Sequence, residues 1–100
     1  YTDILVLGYV KNLKVTRQNP KFITLEWSMS TDGSGYAVEQ YKGGKWTEVL
    51  RTYTNSTVGF IAGDLKAGTT YTFRIRAYKT LGDTVIYSNY TRLAAVTDAN

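Results

Sequence analysis

Eight carboxylates, Asp3, Glu26, Asp32, Glu39, Glu48, Asp64, Asp83 and Asp98, are the first candidates for acid–base chemistry in this 100-residue sequence. Paired-carboxylate catalysis needs two of them in one cleft at a fixed separation. Here they are scattered singly. Only Glu39 and Glu48 are placed to become neighbours, across a hairpin, and a hairpin face is not a cleft. The sequence has no histidine and no cysteine. That removes the commonest zinc and copper ligands, the Ser-His and Cys-His nucleophile pairs and iron–sulfur ligation together. A calcium loop would gather several side-chain oxygens within a few residues, and the acids are too isolated for that. No catalytic residue, metal ligand or cofactor is expected.

The remaining chemistry is aromatic and cationic. Nine tyrosines, two tryptophans and three phenylalanines accompany 12 Lys+Arg against 8 Asp+Glu, a net charge of +4. The cations form no run, whereas displacing counterions from nucleic acid requires them on one face. Nucleic-acid binding is not expected. Trp27 alternates with Ile23 and Leu25, which marks it as core. Trp46 follows a Gly-Gly hairpin and has two readings: an aromatic that caps the open edge of the core, or an exposed indole for a sugar ring or a neighbouring domain. Tyr41, Arg74, Arg76 and Tyr78 occupy outward positions on their strands. With Trp46 they form the candidate interaction surface, since Tyr, Trp and Arg are favoured interface anchors. Glu39 is placed to pair with an arginine across the same face. Asn55-Ser56-Thr57 and Asn89-Tyr90-Thr91 satisfy the glycosylation sequon, which has meaning only in a secretory eukaryotic host.

The elements that must position these residues are strands. Apolar residues recur with period two, and no window carries a 3.6-residue stripe. Val10, Leu13 and Val15 mark a first strand and Ile23 to Trp27 a second, with Pro20 in the turn between them, where its missing N–H costs no ladder bond. Asp32-Gly33-Ser34-Gly35 supplies turn chemistry before a strand over Tyr36 to Tyr41. Gly43-Gly44 reads as a tight hairpin into a strand from Trp46 to Arg51. A short strand carries Val58, Phe60 and Ala62, and Asp64 to Gly68 forms a corner. The clearest alternation runs from Thr70 to Tyr78, with Tyr71, Phe73, Ile75 and Ala77 inward, and a last strand lies within Val85 to Thr97. Seven strands at this spacing predict an all-β, two-sheet antiparallel sandwich. The length allows one domain with a core sufficient to fold without disulfides. The longest apolar run, Ile4-Leu5-Val6-Leu7, is far short of the ~20 residues that cross a bilayer. Since the sequence opens on Tyr1 and not Met, it reads as a piece of a longer polypeptide.

Leu65-Lys66-Ala67-Gly68-Thr69-Thr70-Tyr71-Thr72-Phe73-Arg74-Ile75-Arg76-Ala77-Tyr78 resembles the corner and sixth strand of fibronectin type III domains almost position by position. Leu25-x-Trp27, Gly35-Tyr36-x-Val38, Trp46 with Val49, and Ser88 with Thr97 support the resemblance, which covers residues 10–97. Departures fall at Val10, where the family often has Pro, and at Gln40, where an apolar or aromatic residue is frequent. The resemblance implies a seven-stranded immunoglobulin-like sandwich. It also implies that the hydroxyl of buried Tyr71 reaches back to an upstream backbone group, and that Leu65 plugs the core beside it. Residues 1–9 are then a linker or edge segment and 98–100 a tail. The Leu81-Gly82-Asp83 turn lies where integrin-binding members carry Arg-Gly-Asp. Without the guanidinium that a receptor carboxylate would grip, that activity is not carried over. Low proline content and the Gly-Gly-Lys-Trp hairpin resemble bacterial members from secreted hydrolases and surface proteins.

The function so implied is a non-catalytic, monomeric module. It would space or dock neighbouring domains of an extracellular multidomain protein, such as a carbohydrate-active enzyme. The alternative is a module that recognises polysaccharide or a protein receptor through exposed aromatics and loops. No membrane insertion is expected.

Overall fold

The computed structural model describes residues 8–30 and 33–99, which form eight strands and no helix. These are β1 (Lys14–Gln18), β2 (Ile23–Glu26), β3 (Gly35–Lys42), β4 (Lys45–Arg51), β5 (Gly59–Ala62), β6 (Thr70–Leu81), β7 (Thr84–Tyr87) and β8 (Thr91–Val96). One sheet has the order β1-β2-β5. The other has the order β4-β3-β6-β7, with β8 also paired to β6. Every pairing is antiparallel.

The eighth strand corrects the expected seven. At Ser88 the last strand stops following β6 in register: Oγ of Ser88 accepts the Ala77 N–H at 2.9 Å and donates to the Asn89 carbonyl at 2.9 Å. A side chain thus replaces a ladder carbonyl. The β7 segment pairs with residues 78–81 of β6 and β8 with residues 70–75. The first strand also starts later than Val10. Asn12 takes φ 60°, a left-handed conformation that interrupts extended chain, and the ladder begins at Lys14. Val10 is nevertheless buried, and its carbonyl accepts from Oγ1 of Thr91 at 2.6 Å.

Between the sheets lies one apolar cluster built on Ile23, Leu25, Trp27, Tyr36, Val38, Phe73 and Ile75. Trp27 is 4% exposed and meets Tyr36 edge-on, with ring centroids 5.4 Å apart. The period-two alternation of β2 and β6 therefore placed its inward residues correctly. At the corner before β6, the Lys66 N–H donates to the Tyr71 hydroxyl at 2.8 Å, and Leu65 packs against the core, as the resemblance implied. The end of β8 closes the same corner, since buried Thr97 accepts the Thr69 N–H and donates to the Lys66 carbonyl. Pro20 lies in a turn capped by Asn19, whose Oδ1 accepts from the N–H groups of Lys21 and Phe22.

The β3–β4 turn and the start of β3 require glycine for different reasons. Gly43 and Gly44 take φ 55° and 85°, the two positive values of a two-residue hairpin turn matched to strand twist. Gly35, read from the sequence as turn chemistry, opens β3 instead and faces Tyr78 in register. A Cβ there would strike the Thr52 carbonyl and the Tyr78 hydroxyl. The expected linker or edge segment, residues 1–9, lies outside the described residues except for exposed Gly8 and Tyr9. At the other end Asp98 is tied in: its carbonyl accepts from the Gly68 N–H and its Oδ1 from Nε2 of Gln18.

Candidate interaction surface

In an antiparallel ladder, residues paired in register point to the same face. Arg74 pairs with Glu39 on one side and Arg92 on the other. Glu39 pairs with Glu48, Tyr41 with Trp46, Ala37 with Arg51 and Arg76, and Tyr78 with Tyr87. All of these share the parity opposite to Phe73 and Ile75, so they stand on the outer face of the larger sheet. The expected neighbourhood of Glu39 and Glu48 is real, but each acid serves an arginine. Nε of Arg74 lies 2.6 Å from Glu39, and Nη2 of Arg51 lies 2.9 Å from Glu48. The hydrogen bond that the Arg51 guanidinium donates to Glu48 holds it above its ordinary pKa, against a smaller opposing effect of burial.

Guanidinium groups and rings interleave across this face. The Arg74 guanidinium lies 4.3 Å from the Trp46 ring centroid and 3.8 Å from that of Tyr90. Arg76 lies 4.7 Å from Tyr90 and 3.8 Å from Tyr87. Arg92 is 5.4 Å from Trp46, and Arg51 is 5.2 Å from Tyr78. Tyr41 meets the indole edge-on at 5.2 Å. The attraction is between each cation and the negative face of the ring, and it strengthens where water is partly excluded.

The structure brings Trp46, Tyr41, Arg74 and Arg76 onto one face, with Tyr41 49% exposed. Tyr78 is a correction. It has the outward register position but is only 5% exposed, because Arg51 and Tyr87 cover its ring and its hydroxyl donates to the Thr52 carbonyl. It is not available to a partner. Trp46 is a second correction, since it is not among the residues of the core cluster and does not cap the core edge. Tyr87, Tyr90, Arg92 and Arg51 were missed. Tyr90 and Arg92 do show period two, but the break at Ser88 hid which face they take.

Two shallow grooves lie beside β2, one lined by Asn12, Lys14 and Trp27 and the other by Leu50, Phe60 and Ile61, and Glu26 is the only acid in either. No group of three or more Asp and Glu that could hold a metal ion occurs among the described residues. Among the described residues no helix is long and apolar enough to cross a membrane.

A family model, "Fibronectin type III domain", matches residues 8–93. The chain belongs to the fibronectin type III family. Its fold is similar to that of the crystal structure of FN3tt, with TM-score 0.78 and 20% identity over 97% of this chain and 100% of that one. A computationally redesigned β-sandwich protein matches with TM-score 0.78 and 22% identity, covering 95% of this chain and 94% of that one. A human fibronectin type III domain, from fibronectin type III domain containing protein 3, matches with TM-score 0.65 and 17% identity, covering 98% and 94%. Among curated proteins no sequence relative matches. Fibronectin type III domains are generally non-catalytic structural or interaction modules and are commonly extracellular.

Proposed function

We propose that this fibronectin type III domain spaces and docks neighbouring domains of an extracellular multidomain protein, and that the outer face of its larger sheet is the docking surface. One observation carries the reading: Trp46, Tyr87, Tyr90, Arg74, Arg76 and Arg92, residue types that anchor protein interfaces, are gathered on a flat sheet face and not in a cleft. The low proline content and the Gly-Gly-Lys-Trp hairpin favour a bacterial secreted or surface protein as the parent, such as a carbohydrate-active enzyme.

The alternative, stacking of a neutral polysaccharide on exposed aromatics, is disfavoured by the same geometry. The indole of Trp46, its first candidate platform, already has the Arg74 guanidinium 4.3 Å from its centroid, where a sugar ring would lie. Neutral polysaccharides such as xylan or hydroxyethylcellulose should leave both mobility in affinity gels and tryptophan fluorescence unchanged. Phenylglyoxal labelling then tests docking. Arg76 and Arg92 should react in the isolated chain and be protected in the parent polypeptide; equal labelling in both would remove the docking reading.

A further inference from the structure

Four of the five arginines, Arg51, Arg74, Arg76 and Arg92, take outward register positions on the larger sheet, and none of the seven lysines does. Solubility alone would not sort them so, because both residue types serve it equally. What distinguishes arginine is a planar fork that stacks on a ring by its face while keeping its N–H edge free for a bidentate acceptor. Lysine has neither property, and it is depleted at protein interfaces where arginine is enriched.

The four arginines divide into two pairs by their partners. Arg51 and Arg74 have carboxylates within 2.9 Å and 2.6 Å. Among the described residues Arg76 and Arg92 form no ion pair, and their recorded contacts are rings. Arg76 has its guanidinium 3.8 Å from the Tyr87 centroid and 4.7 Å from that of Tyr90, and its buried Nε meets no acceptor. Arg92 is exposed beside Trp46 and next to Arg74 in register.

Resting on the docking reading above, we infer that the partner surface is an acidic protein segment whose Asp or Glu carboxylates are taken by Arg76 and Arg92. The rings hold the two forks in place before binding, which lowers the entropy lost on contact. Two faces that would compete are already occupied: the sugar-stacking position at Trp46, and the two arginines neutralised by Glu39 and Glu48. What the face offers is two unpaired forks set among tyrosines, a composition suited to a protein partner.

Poly-L-glutamate serves as the probe, titrated into the isolated chain with tryptophan fluorescence as readout, at low salt and at about 0.5 M salt, where screening falls to a few ångströms. Binding should occur at low salt and weaken with salt. R76Q/R92Q should lose roughly tenfold or more in affinity, R76K/R92K should lose part of that, and K14Q/K21Q, on the smaller sheet and its turn, should change it less than about twofold. Circular dichroism melts confirm that each variant is folded. Equal losses in R76Q/R92Q and K14Q/K21Q, wild-type affinity in R76K/R92K, or no binding at all would overturn the inference. Binding of heparin but not poly-L-glutamate would reassign the face to anionic polysaccharide and overturn it too. The two readings fail separately. Protection of the arginines in the parent without poly-L-glutamate binding leaves docking and removes the acidic partner, whereas binding without protection leaves the acidic ligand and removes the neighbouring domain.

Discussion

At the scale of single residues, the two tryptophans have opposite roles, and their surroundings explain why. Trp27 is held between the sheets against Tyr36, and its Nε1 has no hydrogen-bond partner among the described residues. Its contribution is packing. Trp27→Ala should cost about 3–5 kcal/mol, from lost transfer energy and the cavity left behind. Trp27→Phe keeps a ring and sacrifices no protein hydrogen bond, so it should cost less than about 2 kcal/mol. Urea melts of both variants check this, and equal losses would show that the indole N–H matters after all. Trp46 instead lies half-buried among guanidinium groups. The core role of Trp27 was legible in its alternation with Ile23 and Leu25. The setting of Trp46 was not, because Arg92 reaches it from β8 and the indole comes from β4, more than forty residues away in sequence.

The elements show where local chemistry decides and where it does not. The β3–β4 turn is decided locally, by two glycines at φ 55° and 85°. An L-alanine in left-handed backbone costs about 1 kcal/mol, and Asn tolerates it better. Gly43→Ala and Gly44→Ala should therefore each lower stability by about 1 kcal/mol, while Gly43→Asn should lower it by less, as read from thermal melts. No difference between Ala and Asn at position 43 would mean that the turn changes type on substitution. The strand from Thr70 to Tyr78 was likewise plain, since its inward residues are wholly apolar or aromatic. The split of the last strand was not. Ser88 is an ordinary polar residue in sequence, and only its bond to the Ala77 N–H makes it the point where β7 ends. The cost of missing that break was the face assignment of Tyr87, Tyr90 and Arg92.

For the molecule as a whole, one core joins both sheets, and the corner at Tyr71 is tied to both chain segments beside it. Among the described residues no part has a separate core, so unfolding should be a single cooperative transition. Tryptophan fluorescence and far-ultraviolet circular dichroism should give coincident urea curves, with a slope of about 1–3 kcal/mol/M; curves that part would indicate that one sheet opens alone. The sequence by itself determined the two-layer sandwich, the identity of its inward residues and the exclusion of thiol and imidazole chemistry. These follow from alternation and composition, which each strand carries within its own few residues. Only the tertiary structure decided that Arg51 and Arg92 join Arg74 and Arg76 on a face with Trp46, Tyr87 and Tyr90, that Arg74 is the arginine Glu39 takes while Glu48 takes Arg51, and that Tyr78 is covered. Those facts depend on register between strands distant in the chain, where a shift of one residue would send every side chain to the opposite face.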